Sequence, residues 1–259
     1  LSGGTKSGKQ NITSLSGKLQ MRIYVVIAIL VAVSAHLRGP YTLIAGSDEL
    51  LLEHPWVYGM IKSSLMLYLL FIVLINSKDS NSIAVLYLIL AIIFSFFGDV
   101  FLLFEGFFLY GLGSFMIAHL FFIALFVKSA KQLQEVVLIR KYPLLAMAIA
   151  AMGGFIFYKL APYLHDFALP VLFYVMAIVG MGIFALNRYG RTSPQSFRWV
   201  FIGALFFMFS DTIIAFNRFV QAIPFADAMI MSSYAMVQGL IVFGILKHFE
   251  WESKEERPA

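Results

Sequence analysis

The chain contains no cysteine, and only 13% of its 259 residues are charged, about half the share usual in soluble domains. The missing cysteines exclude disulfides, thiolate-ligated metals and thiol nucleophiles. The shortage of charge excludes a soluble globular fold. The composition is 61% hydrophobic with a mean hydropathy of +0.86, and a soluble domain of this length has too little interior to hide it. No Gly-x-Ser-x-Gly marks a serine hydrolase. No His-x-x-x-His or Glu-x-x-His marks a metal site. The net charge of +5 does not indicate nucleic acid, because the basic residues are spread over loops rather than gathered on one face. Positive loops are ordinary in membrane proteins. Composition leaves the oligomeric state unspecified.

What is abundant is long apolar sequence. Runs fall at 21–37, 56–76, 82–104, 106–127, 143–160, 168–187, 198–219 and 228–247, each near the roughly 20 residues that cross a bilayer as a helix. Turn-forming residues separate them, among them Gly39-Pro40, Glu105-Gly106, Tyr142-Pro143, Pro162, Pro170 and Pro224. The expected fold is all-α: an integral membrane bundle of eight transmembrane helices over 21–247, with both termini cytoplasmic. Residues 1–20, rich in Ser, Gly and Lys, read as a flexible polar tail or an appended remnant, with Met21 as a native start. Residues 248–259 read as a charged C-terminal tail. The short link between the third and fourth runs predicts antiparallel neighbours.

Charge supports this segmentation. With cytoplasmic termini, fifteen of the nineteen Lys and Arg residues fall on the inner side. Arg38, Lys159 and Arg218 fall outside, and Lys62 lies within a run. A miscounted span would scramble that asymmetry.

Against this background two acids stand out. Of 14 acidic residues, only Asp99 and Asp211 lie well inside apolar runs. A carboxylate in hydrocarbon costs roughly 2.5–3.5 kcal/mol on insertion scales. By helical rise the two lie roughly 8 and 12 Å below the outer edge of the apolar zone. Each follows a Phe-rich stretch and a small residue, a weak hint of a four-helix repeat. Several polar residues share helical faces near that depth. Ser210, Asp211 and Asn217 form a stripe with Arg218 at its outer end, and Tyr234 and Gln238 share a face. His119 is the histidine deepest in a run, and Lys62 lies near the outer end of the second.

Each has two readings. Ser95 and Ser210 bond the carbonyl four residues back, or act in a site. Lys62 and Arg218 snorkel to the interface, or bind a phosphate. Tyr234 and Gln238 are glue between helices, or line a site together with His119. Asp99 and Asp211 form a buried structural pair, a proton relay or a catalytic dyad. Gly98 allows a neighbouring helix to approach closely.

Four segments taken in order carry a resemblance: Phe97-Gly98-Asp99, Gly113 to His119, Gly203 to Asp211, and Tyr234 to Gln238. Together they resemble the YhhN-like lysoplasmalogenase family, over about residues 21–247. The resemblance implies an eight-helix enzyme of the bacterial inner membrane or the eukaryotic endoplasmic reticulum. It implies cleavage of the vinyl-ether bond of lysoplasmalogens to a fatty aldehyde and a glycerophospho-base, with a lysophospholipid as substrate. It also implies that Asp99 and Asp211 match the family's two key aspartates. Such chemistry needs no metal or other cofactor. Two carboxyls in a low-dielectric site cannot easily both ionise, so one serves as acid and the other as anion, a pair that titrates as a unit. The alternative is a proton-coupled transporter of a lipid or amphiphile that uses the same pair. An intramembrane aspartyl protease is a third possibility, although its signatures are missing from the sequence.

Overall fold

A computed structural model describes residues 8–38, 55–77, 83–130 and 143–255. Among the described residues all regular structure is helical. The helices are α1 (Gly8–Arg38), α2 (Pro55–Asn76), α3 (Ile83–Phe101), α4 (Phe108–Lys128), α5 (Pro143–Leu164), α6 (Ala168–Leu186), α7 (Pro194–Phe219) and α8 (Ala226–Glu255). Seven continuous helical stretches are long and apolar enough to cross a membrane. One of them is the 44 residues of Pro143–Leu186, which hold both α5 and α6. Many large apolar side chains face outward, including Leu144 (75% exposed), Met60 (67%) and Phe155 (60%). Those surfaces suit lipid, and the protein is an integral multi-pass membrane protein.

Helix ends follow local chemistry. Ser193 caps α7 by accepting the Ser196 N–H at 3.3 Å, and Pro194 opens the first turn, where its missing N–H costs nothing. The α7 helix therefore starts four residues before the apolar run. At the other extreme, α3 stops at Phe101 rather than at 104. Leu103 and Phe104 bond three residues back, at 3.1 and 3.2 Å, and Gly106 takes φ +84°, a backbone that favours glycine. Pro162 does not end its helix. It sits in the last turns of α5, and the break comes at His165, with φ +43°, followed by one 3₁₀ turn, His165–Phe167. The chain then folds back, with Gly153 of α5 packed against Val179 of α6.

Both expected tails begin or end inside helix: α1 starts at Gly8, and α8 runs on to Glu255. Helical hydrogen bonding does not stop where apolar sequence stops, so spans and helices need not coincide.

Seven helices pack as a closed ring in the order α1, α2, α3, α4, α6, α7, α8 and back to α1, while α5 lies outside against α6 and α7. The ring's interior is the core, built from residues such as Leu65, Leu88, Phe122, Phe207 and Ile241. At the end of the bundle where α6 passes to α7, Arg188 is fully buried. It donates to Ser129 and to Ser196, the latter at 2.8 Å, and its guanidinium lies 5.4 Å from the Phe126 ring centroid. Burial pushes its pKa down to about 9 against the opposing pull of Glu252, so it stays charged at neutral pH.

Candidate functional site

Asp99 lies in the last turn of α3 and is 1% exposed. Its Oδ1 is 3.1 Å from Lys62 Nζ, and its Oδ2 accepts the Tyr234 hydroxyl at 2.8 Å. Both carboxylate oxygens are thus engaged. Lys62 comes from α2 and Tyr234 from α8. One turn along, Gln238 donates to Ser95 Oγ at 3.4 Å, so α3 and α8 are tied twice. An isolated charge here would be strongly penalised. The three helices converge to give it an opposite charge and a donor.

Asp211, on α7, stands in a different setting. Its Oδ2 accepts the Tyr174 hydroxyl of α6. Among the described residues it has no ion-pair partner, and no hydrogen bond links its Oδ1 to the protein. Asp211 borders a cavity that is open on one side. Leu102, Phe115, Ile156, Val175, Met208 and Phe219 are among the apolar side chains lining it, and the polar wall is Asp211, Tyr174 and Thr212. The Thr212 hydroxyl is spent on the Met208 carbonyl at 2.6 Å. Asp211 Oδ1 is therefore the side-chain polar atom left to meet whatever fills the space.

Phe115 packs near both carboxyl sites. It lines the cavity and meets Tyr234 edge-on at 5.9 Å between centroids, and Phe207 at 6.5 Å. A Cβ on Gly98 would sit 2.6 Å from its ring, so the glycine makes room for this aromatic. No hydrogen bond joins Asp99 to Asp211. Each carboxyl accepts from its own tyrosine, Asp99 from Tyr234 and Asp211 from Tyr174.

The remaining candidates are distributed as follows. Lys62 is buried and paired with Asp99 rather than extended to the interface. Ser210 bonds across to the Ile230 carbonyl of α8 at 3.3 Å rather than back along its own helix. Asn217 accepts the Ile223 N–H at 2.8 Å and closes the α7–α8 turn. Arg218 is exposed, and its guanidinium covers the Phe108 ring at 4.9 Å, beside the cavity that Phe108 lines. His119 is buried, with its ring 5.2 Å from Tyr174 and 4.6 Å from Phe207. Neither of its ring nitrogens has a partner in the protein among the described residues.

Tyr174 is absent from the sequence-derived candidates. A signal existed: a tyrosine seven residues into an apolar helix needs a partner for its hydroxyl. The sequence does not say which group supplies one.

The YhhN family model matches residues 57–245, well over half of the chain. The chain is 31% identical to human lysoplasmalogenase TMEM86A over 166 residues, which is 61% of this chain and 65% of that protein. It is 30% identical to pig lysoplasmalogenase TMEM86B over 190 residues, covering 73% and 76%. A lysoplasmalogenase of Mycobacterium tuberculosis is 31% identical over 139 residues, covering 53% and 50%. The chain thus spans between half and three quarters of these relatives. No solved structure matches it.

Proposed function

The chain belongs to the YhhN family, and from that premise we propose that it hydrolyses the vinyl-ether bond of lysoplasmalogens. The observation that carries this is Asp211, a carboxyl on the wall of a largely apolar cavity, together with a second buried carboxyl, Asp99. The cavity suits an alkenyl chain. The names of the relatives supply the substrate class.

The chemistry asks little of the protein. A proton is added to the β-carbon of the vinyl ether. The α-carbon and ether oxygen then share an oxocarbenium charge, water adds, and the hemiacetal collapses to aldehyde and alcohol. The needs are an acid, nearby negative charge and a base for water, a logic shared with glycosidases. Asp99 and Asp211 are the catalytic pair. His119, with two unpaired nitrogens, is placed to hold water. Arg218, at the mouth, meets the phosphate. Ser210, Asn217, Tyr234, Gln238 and Lys62 hold the surrounding frame. The pairs α1–α2, α3–α4, α5–α6 and α7–α8 make eight spans with cytoplasmic termini. On that reading the carboxyls lie toward the outer side.

The test is aldehyde release from purified protein given lysoplasmenyl-choline and lysoplasmenyl-ethanolamine, beside the saturated alkyl-ether analogue. The vinyl ethers are expected to yield aldehyde and the analogue none, since it has no double bond to protonate. Asp99→Asn and Asp211→Asn are each expected to lower kcat by about 10²–10⁴-fold or more while the protein still folds. Full activity in either variant rejects the pair. Transport of a labelled lipid into proteoliposomes with no aldehyde formed would replace the hydrolase with a transporter.

A further inference from the structure

We infer that the two aspartates have fixed and different jobs: Asp211, positioned by Tyr174, gives and takes back the proton, and Asp99 stays an anion throughout. The catalytic part of this rests on the hydrolase reading. The proton assignment rests on hydrogen-bond geometry alone.

Asp99 has no oxygen to spare. Lys62 faces Oδ1 at 3.1 Å and Tyr234 donates to Oδ2 at 2.8 Å. Both partners are donors. A proton on Oδ1 would turn an acceptor into a donor facing the Lys62 ammonium, which cannot accept. It would also strip Lys62 of its counter-ion in the bundle interior, and breaking a buried pair in this way is strongly unfavourable. Asp99 is therefore locked as a carboxylate.

Asp211 presents the opposite arrangement. Tyr174 donates to Oδ2, which makes Oδ2 the carbonyl-type acceptor and leaves Oδ1 as the hydroxyl. Asp211 opens on an apolar cavity and has no cation among its described partners. An ionised carboxylate there would present a bare oxygen to hydrocarbon, whereas a neutral one presents an O–H. Tyr174 orients the group so that this O–H points into the cavity. Tyr174 is thus a positioning residue, acting through Asp211. No hydrogen bond joins Asp211 to Asp99, and each accepts from its own tyrosine.

The cycle then closes on one carboxyl. The C=C electron pair takes the proton from Asp211 Oδ1 and forms the new C–H bond at the β-carbon. Asp211 becomes a carboxylate beside the oxocarbenium ion. Water adds to the α-carbon and loses one proton to Asp211, restoring its acid form. In the neutral hemiacetal the C–O bond to glycerol breaks, and the hydroxyl proton passes to the departing oxygen. Nothing else is consumed.

The experiment is infrared spectroscopy of the full chain in lipid bilayers at neutral pH, without substrate. The other twelve acids fall outside the apolar runs of the sequence. The wild type is expected to show one protonated-carboxyl C=O band that shifts in heavy water. Asp211→Asn should abolish it and Asp99→Asn should retain it. Tyr174→Phe should move it to higher frequency, because the C=O loses its hydrogen bond. In the aldehyde assay Tyr174→Phe should lower kcat about tenfold, the worth of one such bond at 1.4 kcal/mol, with KM within about twofold. A band that vanishes in Asp99→Asn, or in both variants, or that is missing from the wild type, overturns the assignment. A band unmoved in Tyr174→Phe overturns the role of Tyr174, and this variant decides the matter if Asp211→Asn does not fold. If no aldehyde forms yet the band behaves as expected, the hydrolase reading fails and the proton assignment stands. If aldehyde forms and the band pattern is reversed, the assignment alone fails.

Discussion

Lys62 and Asp99 show how a single residue's setting decides its role. A lysine near the end of an apolar run ordinarily reaches for the interface. Here the side chain is 7% exposed, because an anion one helix away offers it more than water does. Lys62→Met should destabilise the protein by about 3–5 kcal/mol, as breaking one half of a buried pair does. The double variant Lys62→Met/Asp99→Asn should lose less than Lys62→Met alone. Unfolding in detergent checks both, and additive losses would mean the two residues do not interact. His119 makes the opposite case. Its two ring nitrogens have no partner in the protein among the described residues, at a cost of about 1–3 kcal/mol for each buried polar atom left unpaired. His119→Phe should keep or raise Tm while lowering kcat. A fall in Tm of several degrees would show that the imidazole stabilises the fold instead.

Among the elements, α3 and α4 show how close packing depends on a glycine. Gly98 and Phe115 face each other so closely that a Cβ at position 98 would lie 2.6 Å from the ring. Gly98→Ala should cost about 1–3 kcal/mol through overpacking, and Phe115→Leu on the same chain should recover part of it. Thermal unfolding of the two single variants and the double reads this directly. If Gly98→Ala is neutral, the ring moves freely and the glycine is not needed to seat it. The turn after α3 contributes too. By ending the helix at Phe101 it places Asp99 in the last turn, where α2 and α8 both reach it.

Over the whole molecule, the ring of seven helices with α5 outside explains why the cavity has one apolar flank. Gly153, Ile156 and Leu160 of α5 close it from the periphery. The proposed eight spans make a simple prediction, because the chain has no cysteine of its own. Single cysteines at the exposed positions Glu105 and Lys159 should react with a membrane-impermeant maleimide added outside intact cells. Cysteines at the exposed positions Tyr189 and Glu250 should react only after the cells are opened. Tyr189 labelled from outside would reverse or break the topology.

Composition and apolar run length were enough to establish a helical membrane protein, because the cost of polar backbone in hydrocarbon leaves few other solutions. Ordered motifs around Asp99, His119, Asp211 and Tyr234 were enough to identify the family. Asp99 and Asp211 themselves were legible for the same energetic reason, since an acid in an apolar run is conspicuous. Their partners were not. Lys62 and Tyr174 meet the two carboxyls across helices 37 residues apart in sequence, both for Lys62 with Asp99 and for Tyr174 with Asp211. Periodicity along one helix says nothing about which face of another it meets. Which tyrosine each carboxyl meets was decided by how α3 packs with α8 and α6 with α7, and that is a matter of packing in three dimensions.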